Sequence, residues 1–280
     1  MIKRALKDFD IRQIAASGQC FRMEEKEDAV RVIAGNRYLE IRETGECSGD
    51  GKQEKIFAFS CSDEEYDGFW REYFDLDYDY GRVKAGILPE DRYLRAAAVH
   101  GGGIRILRQD LWETLVSFLI SQQNHIPRIR RCIRLLCEAC GERKETEDGT
   151  VFYGFPSPEN VAALSLEELQ GCNLGYRAKY VKKTAEDAAA GRLCLEKIGG
   201  MGYEEAREAL KKCFGVGDKV ADCVCLFALH HMEAFPVDTH IRQVLEREYP
   251  RGFPFAQYKE TAGILQQYMF YYELTGPEGA

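Results

Sequence analysis

The chain lacks any apolar run near the roughly 18–20 residues that a membrane span needs. Its charged start, MIKRALKDFDIRQ, lacks the apolar core of a signal peptide, so a cytosolic protein is expected. Nor do the 11 cysteines form a compact secreted framework: their number is odd and they sit in helix-like or strand-like sequence, which makes reduced thiols the expectation. Cys137 and Cys140 make one C-x-x-C, yet no second pair and no histidine pair stands at zinc spacing, and no cysteine follows Cys225. Positive charge is also short. With 38 Lys and Arg against 46 Asp and Glu the formal charge is -8, which excludes a uniformly basic nucleic-acid binder but leaves room for a local basic patch. No internal repeat or low-complexity tract divides the 280 residues, a length that can bury a real core in one large domain or two smaller ones.

What is present falls into two parts. Residues 1 to about 95 are β-rich: AVRVIAGNRYLEIRE and KIFAFSC are short β-branched and aromatic runs separated by Gly, Asn and charged turns, and they predict an antiparallel sheet. The acidic, aromatic stretch EEYDGFWREYFDLDYDYGRV predicts a helix whose Phe69, Trp70, Tyr73 and Phe74 pack on that sheet. From about Tyr93 the pattern turns helical and is expected to stay so to the end, with breaks near 101–103, 149–158, 199–202 and 250–254. The expected organisation is an α+β fold, with residues 1–95 as a sheet domain and 96–280 as a helical domain whose last helix packs back toward the first.

Chemistry concentrates in LKKCFGVGDKVADCVCLFALHHMEAFPVDTH, residues 210–240. Gly215 and Gly217 interrupt helix-compatible sequence, as a tight turn requires, which predicts a helix-hairpin-helix over about 210–229. Such a hairpin points to DNA backbone binding, because it presents backbone N–H groups to a phosphate. Lys219 opens the second helix, Cys223 shares its face four residues on, and Asp238 follows Pro236 nineteen residues after the lysine. An amine, a thiol and a carboxylate can thus share a pocket. Two basic clusters accompany them. One follows the polar interruption Ser121 to His125 and carries Arg128, Arg130, Arg131 and Arg134; the other is LGYRAKYVKK, where Arg177 and three lysines flank Tyr176, a mixture that can grip phosphates and wedge between bases. Taken singly, these features have plainer readings: solvated helix faces for the clusters, a helix cap for Asp238, a turn glycine for Gly18 and core packing for Phe270.

In combination, GVGDKVADCVCL and PVDTH closely resemble the helix-hairpin-helix (HhH-GPD) DNA glycosylases, and specifically the 8-oxoguanine DNA glycosylases. SGQCFR at 17–22, IRILRQDLWETLVSFLISQQNHIPRI at 104–129, LGYRAKYV at 174–181 and AGILQQYMF at 262–270 are similar to that family too, in its order. The resemblance implies a TBP-like N-terminal antiparallel sheet domain packed on an all-α glycosylase domain. It implies a bifunctional enzyme of base excision repair that removes 8-oxoguanine opposite cytosine and nicks the strand by β-elimination. Lys219 would attack the sugar and hold it as a Schiff base, with Asp238 stabilising the cationic transition state. Gly18 would offer its carbonyl to the ring N–H that only the oxidised base carries, Phe270 and Cys223 would sandwich the base, and Gln266 would read its pairing edge, with Phe227 standing where relatives often have methionine. Gln123 would fill the gap left by the base, where eukaryotic-type members insert asparagine, and Asn124 stands beside it. Tyr176 would wedge, Arg128 and Arg177 would read the orphaned cytosine, and His240, Gly215 and Gly217 would meet phosphates. Carbonyls of Lys211, Cys213 and Val216 could hold a structural cation; no cofactor is required, and without cysteines after Cys225 the C-terminal iron-sulfur cluster of some relatives is not expected. The implied partner is double-stranded DNA containing oxidised guanine, met by a monomer in the nucleoid-bearing cytosol if the source is prokaryotic, with no membrane involved.

Two other classes stay open at this point. A hairpin glycosylase for another lesion, such as an alkylated base, would share the hairpin and Asp238 without needing Lys219 or the set of Gly18, Gln266 and Phe270. A non-catalytic hairpin protein would bind DNA without turnover.

Overall fold

Five short strands pair into one antiparallel sheet in the computed structural model, which describes residues 1–47 and 54–276. The strands are β1 (Ile2–Leu6), β2 (Met23–Lys26), β3 (Ala29–Ala34), β4 (Arg37–Cys47) and β5 (Lys55–Phe59), in spatial order β1-β5-β4-β3-β2. Register places Val30 opposite Ile41, Val32 opposite Leu39 and Ile41 opposite Phe59, which collects the apolar side chains on one face. That face is covered by the short helix α1 (Ile11–Ala16) and by the aromatic stretch that follows β5. Trp70, Tyr73 and Phe74 are buried in the same cluster and Phe69 packs half-buried at its margin, as the sequence pattern predicts. Each such burial contributes roughly 1.5–3 kcal/mol.

The remaining long elements are helices: α2 (Arg92–His100), α3 (Leu111–Ser121), α4 (Ile126–Cys140), α5 (Ala178–Ala189), α6 (Tyr203–Lys211), α7 (Asp218–Phe227), α8 (Thr239–Glu248) and α9 (Ala262–Thr275). Their core gathers Leu115, Phe118 and Leu119 of α3, Val220, Val224 and Phe227 of α7, and Ile264, Leu265 and Tyr268 of α9. α3 and α7 are buried on nearly every side, α7 with the charged Asp222 among its buried residues. Helical structure begins earlier than the pattern suggested, since Tyr80 and Val83, from the short helix Tyr80–Ala85, already belong to this core. The stretch expected to stay helical is also broken by a small hairpin of β6 (Arg143–Glu145) and β7 (Val151–Tyr153). Its turn carries Asp148 before Gly149, and Gly149 takes φ +83, the left-handed conformation that such a dipeptide supplies. Among the described residues no helix is long and apolar enough to cross a membrane, and ten cysteines are free thiols.

Two buried arginines join the sheet to the helices. Arg105, in the segment leading into α3, donates Nε to the Asp8 carbonyl (3.0 Å), Nη2 to Lys7 (3.0 Å), and Nη1 to Asp75 (2.7 Å) and Tyr78 (3.2 Å). Arg22 pairs with Glu113 of α3 at 3.3 Å and also donates to the Tyr153 carbonyl, while Glu113 accepts the Gly35 N–H at 2.9 Å. Burial raises the Glu113 carboxyl from its ordinary value, and Arg22 opposes that rise. The buried charge is therefore paired and hydrogen-bonded, the condition under which it is tolerated.

Candidate active site

The segment between α6 and α7 is the tight turn that the two glycines predict. Gly215 sits at φ +89, and a Cβ there would meet the Tyr180 ring at 2.5 Å, so both conformation and close approach demand glycine. A Cβ at Gly217 would meet nothing within 4 Å, so the backbone entering α7 is open to approach. The two helices are stapled by Asp222, which accepts from the Tyr203 hydroxyl (2.9 Å) and Arg207 Nε (2.7 Å), while Arg207 Nη2 reaches Asp218 (2.8 Å). α7 ends at Phe227, two residues short of the expected Leu229, where Ala228 caps it. Cys213 offers its carbonyl to the Val216 N–H at 3.1 Å.

Behind the hairpin lies a cavity of about 50 Å³ lined by Ser17, Gly18, Phe118, Lys219, Cys223, Phe227, Pro236, Asp238, Gln266, Gln267 and Phe270. Lys219 and Asp238, the loop after α1, and Gln266 with Phe270 of α9 are thus brought together from four distant parts of the chain. Lys219 is half-buried, with Nζ 5.0 Å from the centroid of the Phe118 ring, which in turn stacks on Phe227 at 5.6 Å. Asp238 caps α8, accepting the Ile241 N–H at 2.8 Å, so the plainer cap role and the place in the cavity coexist. Burial pushes the Cys223 thiol up to about 11, with Lys219 offsetting only part of that rise; the group is a thiol at neutral pH. His240 is exposed at the rim, its ring edge-on to Phe270 at 6.1 Å.

Gly18 takes φ +74, and a Cβ on it would stand 3.0 Å from Phe270 Cε1. The turn-glycine reading is therefore correct but incomplete, because the ring from the far end of the chain closes over it. Gln266 is buried with its amide occupied: Nε2 donates to the Pro236 carbonyl (3.0 Å) and Oε1 accepts from Gln267 (3.1 Å). Sequence reasoning passed over Gln19, whose buried amide donates to Ser17 Oγ (2.8 Å) and the Arg105 carbonyl (2.9 Å) and accepts the Leu107 N–H (2.8 Å). It also passed over Gln109, which donates Nε2 to the Gln19 carbonyl (2.8 Å) and its backbone N–H to the Phe227 carbonyl (3.0 Å). Together they fix the Gly18 loop to the end of α7. The available signal was polar side chains inside otherwise apolar motifs, the Gln of SGQCFR and the Gln of RILRQ.

The polar interruption between α3 and α4 contributes no residue to the cavity lining. Gln123 is at its tip, exposed, with φ +46. Asn124 is turned inward, donating to the Ile120 carbonyl at 3.2 Å and accepting the His125 N–H at 3.1 Å. Tyr176 is 44% exposed, and its hydroxyl lies 3.4 Å from both the Gln122 carbonyl and Gln123 Oε1. Arg128 is exposed, whereas Arg177 is buried behind the loop, donating to the carbonyls of Gln122 (2.7 Å) and Gln123 (2.8 Å). Among the described residues no group of three or more His, Cys, Asp or Glu could hold a metal ion.

Comparison with known proteins places this geometry. The family model of the 8-oxoguanine DNA glycosylase N-terminal domain matches residues 1–115, and that of the HhH-GPD superfamily of base excision DNA repair proteins matches residues 116–266. An N-glycosylase/DNA lyase of Saccharomyces cerevisiae is 38% identical over 226 residues, which cover 76% of this chain and 56% of that protein, so the chain spans little more than half of that relative. A probable N-glycosylase/DNA lyase of Methanothermobacter thermautotrophicus is 34% identical, covering 70% of this chain and 71% of that one. Among solved structures, the Clostridium acetobutylicum 8-oxoguanine glycosylase/lyase in complex with double-stranded DNA containing cytosine opposite 8-oxoguanine superposes with a TM-score of 0.86 at 34% identity, covering 98% of this chain and 97% of that one.

Proposed function

The chain belongs to the 8-oxoguanine DNA glycosylase branch of the HhH-GPD superfamily, and on that premise we propose that it excises 8-oxoguanine from duplex DNA opposite cytosine and then cleaves the strand as a lyase. The observation that carries the reading is the cavity in which Lys219, Asp238, Gly18, Cys223, Gln266 and Phe270 converge. Lys219 Nζ, as the neutral amine, attacks the anomeric carbon of the damaged nucleotide; the glycosidic bond breaks and the base leaves with the bonding electrons, and the nitrogen gives one proton to the departing base and one to the sugar ring oxygen, whose bond to the anomeric carbon opens as the C=N bond of the Schiff base forms. The Asp238 carboxylate faces the positive charge that develops on the sugar. Loss of the neighbouring sugar proton from the same intermediate expels the 3′ phosphate, which is the lyase step.

Selection follows from what would be left unpaired. The Gly18 carbonyl accepts an N–H that oxidised guanine has and guanine lacks, so a normal base in the slot strands a buried acceptor, at about 1–3 kcal/mol. Phe270 and Cys223, a neutral thiol, form the two walls, and Gln266 exchanges its present partners for the base edge. Gln123, already at the exposed tip in a left-handed conformation, enters the gap beside Tyr176, while Arg128 meets the orphaned cytosine; Arg177 joins it by releasing a loop carbonyl. Gly215, Gly217 and His240 meet the backbone. The Cys213 carbonyl keeps a second lone pair beyond its Val216 bond, which fits a structural cation held with the Lys211 and Val216 carbonyls.

The test is covalent trapping. Incubated with borohydride and a duplex carrying 8-oxoguanine opposite cytosine, the protein is expected to form a protein–DNA adduct, and Lys219→Gln to lose it along with roughly a thousandfold or more of excision. Base release with no adduct from wild type would sink the lysine mechanism, and preference for an alkylated duplex would sink the substrate.

A further inference from the structure

One aromatic side chain that the proposed chemistry does not use ties its two DNA-facing devices together. Tyr180, on α5, lies against the hairpin backbone so closely that its Cγ and both Cδ atoms are 2.5–2.8 Å from where a Gly215 Cβ would stand. On one side its ring meets Phe214 of the hairpin edge-on at 5.0 Å; on the other it meets Tyr176 edge-on at 5.8 Å. Phe214 itself is 50% exposed. The path then closes on itself. Tyr176 reaches the Gln122 carbonyl at 3.4 Å, and Gln122 Nε2 donates to the Gly215 carbonyl at 3.0 Å. Hairpin, Tyr180, Tyr176 and the Gln122–Gln123 loop therefore form one ring of contacts.

We infer that Tyr180 is a positioning residue that couples the hairpin's hold on a phosphate to the insertion of Tyr176 and Gln123, an inference that rests on the proposed function. A packed aromatic contact is not continuously deformable, so a shift of the hairpin backbone moves the Tyr180 ring and, through it, the wedge. The phosphate register thereby sets where Tyr176 enters the duplex. Without the ring, the hairpin still grips and the cavity still forms, but the wedge no longer arrives in step with the grip. The aromatic ring carries the coupling, since its contacts to Phe214 and Tyr176 are made by ring edges and faces.

Single-turnover excision on two duplexes tests this. In one, 8-oxoguanine is paired with cytosine and has to be pushed out; in the other it faces an abasic position, where it leaves the stack with little help. Tyr180→Leu is expected to slow excision about three- to tenfold on the paired duplex and to match wild type on the other. Tyr180→Phe keeps the ring and is expected to match wild type on both. Gln122→Leu cuts the opposite limb of the ring of contacts and is expected to reproduce the Tyr180→Leu pattern, so a folding failure in one variant leaves the other to decide. Equal loss on both duplexes, or no loss on the paired one, overturns the inference while leaving wild-type excision intact. A wild-type protein that excises from neither duplex would overturn the proposed function itself.

Discussion

The slot around Lys219 and the surface around Gly215 differ in how their parts reach one another. The slot is assembled from positions 17–18, 118, 219–238 and 266–270, and the Gln266 amide within it is already occupied by protein partners. The gripping surface is built from short local motifs, a hairpin and two loops, whose tips Gln123, Tyr176 and Phe214 stand exposed. Long-range assembly gives a closed, packed interior, whereas local assembly leaves its side chains standing at the surface. The hairpin shows that the distinction is one of placement, since a single helix, α7, carries Gly217 toward the outside and Lys219 with Cys223 toward the inside.

Changes on one side of that divide should leave the other intact. After Lys219 itself, Gly18→Ala should have the largest effect, because left-handed strain of about 1–2 kcal/mol adds to crowding against Phe270 Cε1, and excision is expected to fall roughly 30-fold or more. Affinity for a duplex with an abasic site, measured by fluorescence anisotropy, is expected to stay unchanged; a parallel loss of binding would erase the contrast. Asp222→Ala works from the other side. It leaves Arg207 and the Tyr203 hydroxyl without their shared acceptor, at about 1–3 kcal/mol, so the melting temperature should fall by a few degrees and binding to undamaged duplex should weaken. Excision by saturating protein should change little, and a collapse of that rate with binding preserved would show that the staple belongs to the slot instead.

The smallest expected effect concerns Cys223. Its thiol is raised from an ordinary value near 9.0 to about 11, so the folded state holds that proton more tightly than the unfolded chain. The corresponding stability is fully present below pH 9 and is lost as pH rises through about 11. Alkylation of Cys223 by iodoacetamide should accordingly be slow near neutral pH and climb across that window, and the pH-stability profile of Cys223→Ala should lose that alkaline decline. Fast alkylation near neutral pH would mean that the inner wall is a thiolate, and the contrast between a closed interior and an exposed surface would need redrawing.

The hairpin, the sheet and the aromatic cover were legible because each is a local pattern: paired glycines between helical runs, alternating β-branched residues, and aromatics at helical spacing. The β6–β7 hairpin was missed although Asp148-Gly149 is a strong turn signal, because its strands are three residues each and one of them, RKE, is entirely charged. Gly18 and Phe270 show the limit most clearly. On pattern alone one is a turn and the other core; the turn holds, Phe270 is half-buried against the core, and what no periodicity contains is that they approach each other across the whole length of the chain. The family resemblance supplied their partnership, but not the amides of Gln19 and Gln109 that hold the loop in place. Nor could spacing reveal that Arg177 is committed to the carbonyls of Gln122 and Gln123 while Arg128 is exposed at the surface.

The slot of about 50 Å³ is far smaller than the ~300–1,000 Å³ of a typical ligand pocket, so the proposed function requires Phe270 to swing off Gly18 and Gln266 to let go of Pro236 before a base enters. For the proposed reaction this makes entry a race between two clocks. One is the time an extruded base spends outside the helix before it restacks; the other is the waiting time for the slot to open. A wedge that lingers lengthens the first for every base alike, whereas the fit of Phe270 on Gly18 sets the second. Both clocks run alike for guanine and the oxidised base, so the choice between those two still falls to the Gly18 carbonyl once the slot has opened.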